Sequence, residues 1–267
     1  MLRSVKEMEK FRIAATDGEI GDAYDFYFND LQWTIRYLVV ETGGWLSKKQ
    51  VLISPYSIQK TGPEEKELSL NLTKKQIEQS PDVSTDEPVS RQNEIDLMRY
   101  YNWPRYWDWG EAGLPYTPGA ASFMASGPIL NEGALNEENK EQQSSGSEKE
   151  HNEKKGDPHL RSCREILGYK LLAADGETGQ VEDFILDDET WIIRYMVFDT
   201  GSWLTGGKKF LIAPHWINKV EWADSSVHVV LKNQDIKNSP PYDPSSTLNR
   251  DYEELLYEHY GLPKYWV

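Results

Sequence analysis

The sequence predicts a mainly β protein made of two small β-barrels, each with short C-terminal helices and an aromatic tail. Three observations lead there. The first is a duplication. Asp17 to Leu46 reads DGEIGDAYDFYFNDLQWTIRYLVVETGGWL, and Asp175 to Leu204 reads DGETGQVEDFILDDETWIIRYMVFDTGSWL, an offset of 158 with 16 of 30 positions identical. Unrelated stretches would agree at about two of those positions, so the pattern is one repeated unit. The second is a run of short, alternating apolar segments separated by turn residues. The third is that both copies close on a helical pattern, then Gly or Asn, Pro and Tyr-Trp.

The repeat extends beyond that core. Leu2-Arg3-Ser4 matches Leu160-Arg161-Ser162, and after Leu46 one extra residue moves the offset to 159. It then holds through Pro55/Pro214, Ile77/Ile236, Arg91/Arg250 and Tyr106-Trp107/Tyr265-Trp266. The copies thus span 2–107 and 160–266. Residues 108–159 have no counterpart, and from Asn131 to Asp157 they are Glu, Lys, Gln, Ser and Asn with almost nothing apolar. Such a segment buries too little surface to offset its ordering entropy, so an acidic, largely disordered linker is expected.

Within a copy, Phe11, Ile13 and Ala15 alternate as in a half-buried strand. Asp17-Gly18 follows as a two-residue hairpin turn, because Gly accepts positive φ. Phe26 and Phe28 mark the next strand, and Asn29-Asp30 the next turn. Trp33 to Val40 reads as the longest strand, with Trp33, Ile35, Tyr37 and Val39 on one face. Its other face is also mostly apolar, as in a strand enclosed on both sides. Val51 to Ile53, ended by Pro55, and the alternating Leu68, Leu70 and Leu72 complete the set. A sheet so short and so apolar is expected to close into a barrel, which removes its edges. Residues 73–79 and 232–238 read as short helical turns, and Glu94–Tyr101 and Tyr252–Tyr260 as amphipathic helices. Asn102 and Gly261 sit where C-caps belong.

Bulk properties remove several function classes. A net charge of −15, without a basic stripe, argues against nucleic acid and against anionic membrane surfaces. No window approaches the ~20 apolar residues of a membrane span, so no direct membrane insertion is expected. The start MLRSVKEMEK has no apolar core, so no signal peptide is read there and the expected compartment is the cytoplasm. The single cysteine, Cys163, aligns with Val5 and reads as an ordinary small apolar position.

The run DGE-x-G, DF, W-x-IRY-x-V and TG-x-WL, followed by a strand ended by Pro, resembles the PRC-barrel domain in both copies. The opening LRS and the closing YG-x-P-x-YW of the second copy resemble standalone bacterial PRC-barrel proteins, here in tandem. The resemblance covers about four-fifths of the chain and implies a small β-barrel in each copy. The same barrel occurs in the cytoplasmic part of the photosynthetic reaction-centre H subunit and at the C-terminus of the ribosome-maturation factor RimM. There it docks and sets an environment, and does not catalyse. The membrane helix of the H subunit and the N-terminal domain of RimM have no counterpart in this sequence, and no functional residue of the family maps onto it.

Candidate chemistry is sparse. Asp17, Glu19, Asp22 and Asp25 recur as Asp175, Glu177 and Asp183 with Gln180, but Gly21 stands at the fifth position of a would-be calcium loop, where an EF-hand has none. A solvated hairpin turn is the simpler reading. Arg36 and Arg194 lie inside the apolar strand, and either form an anion site or pair with Asp25/Asp183 or Glu41/Asp199. The five histidines do not recur between copies, which argues against a metal centre or a catalytic triad. The ten tryptophans are the most suggestive feature. Trp33 and Trp191 read as core, and Trp45 and Trp203 as residues of a barrel mouth. Trp103, Trp107 and Trp109 cluster at the end of the first copy. They either cover the barrel or offer a protein-docking patch, since tryptophan dominates interface hot spots.

The reading is a non-catalytic, soluble adaptor or scaffold that docks on a protein partner through Trp45, Trp203, Trp103, Trp107 and Trp109, with no cofactor and no metal. Two alternatives stand beside it. One is a metal- or small-ligand-responsive regulator using the Asp-Gly-Glu turns. The other, raised by the resemblance to the H subunit, is an accessory of a photosynthetic or electron-transport complex. The two copies either pack together as an internal pseudo-dimer or stand as independent beads, and the sequence leaves both open.

Overall fold

The computed structural model describes residues 1–46, 49–59, 66–81, 89–109, 157–201 and 207–266. The linker expected over 108–159 lies outside these, apart from its ends. The described chain is mainly β. Repeat 1 contributes β1 (Leu2–Ser4), β2 (Arg12–Ala15), β3 (Gly18–Asn29), β4 (Thr34–Thr42), β5 (Gln50–Ile53) and β6 (Glu67–Ser69). Repeat 2 contributes β7 (Leu160–Ser162), β8 (Lys170–Ala173), β9 (Gly176–Asp187), β10 (Ile192–Asp199), β11 (Lys209–Ile212), β12 (Ile217–Glu221) and β13 (Ser226–Val229). The helices are α1 (Val5–Met8), α2 (Lys74–Glu78), α3 (Arg91–Tyr101), α4 (Cys163–Ile166), α5 (Asn233–Asn238) and α6 (Arg250–Tyr260).

All thirteen strands belong to one mixed sheet, in the order β12-β13-β8-β9-β10-β4-β3-β2-β6, with β1 on β9, β11 on β10, β5 on β4 and β7 on β3. The pairs β2–β6 and β8–β13 are parallel and the rest antiparallel. The two closed barrels that the sequence leads one to expect are therefore not formed. After β5 the chain turns through a 3-10 turn at Pro55–Ser57 before Ile58 bridges to Leu70, and after β11 through another at Pro214–Trp216 before β12 pairs with β13. Proline has no N–H to extend a ladder, so each turn interrupts the pairing of β5 or β11.

The free edge of β3 is closed by the other repeat instead. β2 covers only the first part of β3, up to Asp22. Beyond it, β7 pairs Ser162 with Tyr27 and Leu160 with Asn29. Reciprocally, β1 pairs Ser4 with Ile185 and Leu2 with Asp187. This is the exchange of a terminal strand between like units, carried out within one chain.

The aspartate of each Asp-Phe motif fastens the exchange. Asp25 Oδ2 accepts the Ser162 hydroxyl at 2.5 Å, and Asp183 Oδ2 accepts that of Ser4 at 2.5 Å. Each serine also caps the short helix that follows, taking the amide of Glu165 or Glu7 at 3.1 Å. At the centre, β4 meets β10 at Thr34 and Ile192. Trp33 and Trp191 do not begin these strands, as the sequence pattern suggests; they adopt left-handed φ of 53° and 57° just ahead of them. That conformation turns their carbonyls toward the other repeat, where they accept Ile193 N at 2.7 Å and Ile35 N at 2.8 Å. Phe28 and Phe184 meet across the join with centroids 6.0 Å apart. The internal pseudo-dimer, and not the pair of independent beads, is the arrangement formed.

β4 is buried on both faces at every position except Glu41, as its apolar run requires. The turns show why the DGE-x-G motif recurs. Asp17 Oδ1 accepts the amide of Lys74 at 2.8 Å and Asp175 Oδ1 that of Asn233 at 2.7 Å, so each aspartate satisfies the first turn of α2 or α5. A Cβ on Gly21 would stand 1.9 Å from the Glu41 carbonyl oxygen, and one on Gly179 2.3 Å from that of Asp199. The second glycine is there for close backbone approach.

Candidate functional site

The helices α3 and α6 each carry an Arg-x-x-Glu pair in the first turn, and that glutamate points inward. Glu94 is 0 % exposed. Its Oε1 accepts Tyr37 of β4 at 2.9 Å and Tyr106 of the aromatic tail at 2.8 Å, while Arg91 donates to its Oε2 at 3.0 Å. Repeat 2 duplicates the cluster: Glu253 accepts Tyr195 at 2.7 Å and Tyr265 at 2.8 Å, and pairs with Arg250 at 3.0 Å. One carboxyl group thus ties strand, helix and tail together. Burial pushes the Glu94 carboxyl up to about 7 against the opposing pull of Arg91, and pushes the Tyr37 and Tyr195 phenols far above their usual range.

The tail tyrosines also lie under the strand arginines, with Arg36 4.2 Å from the Tyr106 centroid and Arg194 4.3 Å from that of Tyr265. Neither arginine uses the acids expected from the sequence. Arg36 donates to Gln32, and Arg194 to Asp187 at 3.2 Å and Thr190 at 3.3 Å. Asp25 and Asp183 are committed to the serines of the exchanged strands.

The repeats diverge beside these stacks. In repeat 1 the space among Arg36, Pro55, Tyr56 and Tyr106 measures about 10 Å³, room for one water at most. In repeat 2 the corresponding cleft holds about 340 Å³. It is walled by Arg194, Pro214, His215 and Tyr265 on one side and by Leu31 and Trp33 of repeat 1 on the other. Two exchanges at matching positions accompany the difference. His215 stands where repeat 1 has the larger Tyr56, and Leu31, 61 % exposed, stands where repeat 2 has Glu189. Burial lowers the His215 pKa, partly offset by the Pro263 backbone, which favours the neutral imidazole. The site is an aromatic and aliphatic cleft with one guanidinium at its wall, and it straddles the join between repeats.

The five tryptophans singled out in the sequence are not brought together as one patch. Trp103 is buried, donates its indole N–H to Ser57 at 2.8 Å and stacks on Tyr101 at 4.3 Å, so it is core and not docking surface. Trp107 is half-buried and lies 4.1 Å from the Arg91 guanidinium. Trp45 falls in a 3-10 turn at Gly44–Leu46 and Trp109 in one at Tyr106–Trp109; their side chains, and all of Trp203, lie outside the described residues. Cys163 is buried, as its alignment with Val5 suggests. His159 meets Asp30 at 2.8 Å, His228 meets Ser226 at 3.2 Å and His259 meets the Asp235 carbonyl at 2.7 Å, while among the described histidines His215 lines the cleft.

The cleft and the buried glutamates were missed by sequence reasoning. The signal for the glutamates was present: Tyr37, Arg91, Glu94 and Tyr106 all recur at the repeat offset. No protein-family model matches the chain, and no characterised protein matches it.

Proposed function

We propose that the protein is a non-catalytic docking module, a tandem relative of the PRC-barrel proteins, that takes a protein partner into the repeat-2 cleft. The observation that carries the proposal is the asymmetry of a duplicated scaffold: one cleft is filled by its own side chains, and its twin stands open at about 340 Å³. A volume of that order accepts one or two anchoring side chains. Exposed Leu31 and half-buried Trp33 and Tyr265 supply the apolar and aromatic walls that interface anchors use. The lining holds one imidazole and one guanidinium but no carboxylate or hydroxyl nucleophile beyond the phenol of Tyr265, which suits recognition better than bond breaking. The proposal places this in the cytoplasm, in keeping with an acidic chain whose one cysteine is buried. Among the described residues no helix is long and apolar enough to cross a membrane.

His215→Tyr copies the residue that fills the repeat-1 cleft. Affinity capture from a native extract at physiological salt is expected to yield one stoichiometric partner with the wild-type chain. The variant, with unchanged thermal stability, is expected to lose it. A partner retained by His215→Tyr, or no stoichiometric partner at all, would overturn the proposal.

A further inference from the structure

Repeat 1 holds a carboxylate that has no counterpart among the described residues of repeat 2. Asp157 lies three residues ahead of β7, and the exchange carries it onto α3 of repeat 1. There its Oδ2 sits 2.9 Å from Arg91 Nη2 and accepts the Tyr106 hydroxyl at 2.8 Å. Its Oδ1 takes the amide of His159 at 2.9 Å, and the residue is buried. The equivalent groups in repeat 2 are Arg250 and Tyr265. Arg250 keeps its bond to Glu253, yet its side chain is 48 % exposed against 24 % for Arg91, and among the described residues no second carboxylate reaches it. Asp187 is taken up by Arg194, Thr190 and the Glu189 amide. Tyr265 is half-buried where Tyr106 is buried, and it forms a wall of the open cleft.

Resting on the docking reading above, we propose that the Arg250–Tyr265 slot binds a carboxylate of the ligand, and that the ligand is an acidic peptide segment whose Asp or Glu takes the place that Asp157 takes in repeat 1. The chain supplies the template for its own ligand. One carboxylate oxygen pairs with Arg250 Nη2, as Asp157 does with Arg91 Nη2, and shares the Tyr265 hydroxyl with Glu253, as Asp157 shares Tyr106 with Glu94. The residues on either side of that Asp or Glu then lie against Trp266, 4.2 Å from the Arg250 guanidinium, and against the cleft beyond Tyr265. The proline that follows Asp157 suggests that an extended, turn-forming acidic segment fits best.

The test is calorimetric or tryptophan-fluorescence titration of the full chain with the probe N-acetyl-Asp-Pro-amide, which copies residues 157–158. Saturable binding is expected. It should weaken by about tenfold for the Asn-Pro probe, which loses the charged acceptor, and by a similar factor in Arg250→Gln. Arg12→Gln, on the exposed surface, should bind like wild type. The probe exchange needs no variant and so decides the matter even if Arg250→Gln is unstable. Equal affinity for the Asp and Asn probes, or no saturable binding at all, would overturn the carboxylate slot. The two proposals fail separately. Partner capture lost in His215→Tyr but kept in Arg250→Gln leaves docking and removes the slot. Asp-selective probe binding without any captured partner leaves the slot and removes docking.

Discussion

Glu94 carries the clearest consequence at the level of single residues. It is enclosed by Tyr37, Tyr106 and Arg91, and its carboxyl titrates at about 7, well above the ordinary 4.5. The folded state therefore holds a proton that the unfolded chain releases between those two values. The stability tied to that proton is fully present below about pH 4.5 and is lost as pH rises through about 7, on the order of 3 kcal/mol in all. Glu94→Gln cannot titrate. Urea unfolding at pH 5 and pH 8 is expected to show a smaller fall in stability for the variant than for wild type; equal falls would mean that the proton sits elsewhere. The sequence hides this residue because an acid in the first turn of an amphipathic helix reads as solvated and favourable to the helix dipole. Only the joint recurrence of Tyr37, Arg91, Glu94 and Tyr106 in the second copy pointed inward.

At the level of elements the strands and helices are legible, and their closure is not. Alternation placed β2 to β6 and their repeat-2 counterparts, and the left-handed caps at Asn102 and Gly261 end α3 and α6 where Asn and Gly predict. The three-residue strands β1 and β7 carry no information about which copy they join, because both copies offer the same β3-type edge and the same aspartate. Local pattern cannot distinguish a strand that returns to its own unit from one that crosses. The hairpin motif, in contrast, has a testable steric origin. A methyl group at Gly21 would collide with the Glu41 carbonyl, whereas one at Gly44 meets nothing within 4 Å. Gly21→Ala is expected to destabilise by about 1–3 kcal/mol or more, and Gly44→Ala by no more than about 0.5 kcal/mol. Thermal melts of the two variants check this; equal melting temperatures would remove the close-approach explanation.

For the molecule as a whole, the duplication was plain in the sequence, yet its meaning changed with the structure. Two beads on a linker would each carry the same surfaces. Reciprocal exchange of β1 and β7, the serine–aspartate clasps and the tryptophan carbonyls at the centre make one body with two inequivalent ends. The open cleft is a product of that union, because Leu31 and Trp33 of one repeat complete a site whose other wall belongs to its twin. The sequence separates the copies by a polar segment, and composition alone cannot say that the units on either side are bound to each other.

The central claim is that the repeats are held together by folded contacts and not by the connecting segment. A protease site placed between residues 110 and 156 and cut in the native protein tests it directly. The cut fragments are predicted to co-elute in size-exclusion chromatography at the mass of the intact chain, 30.8 kDa, and to separate only when denaturant unfolds both. Two folded fragments eluting independently at about half that mass would contradict the exchange of strands and, with it, the shared cleft.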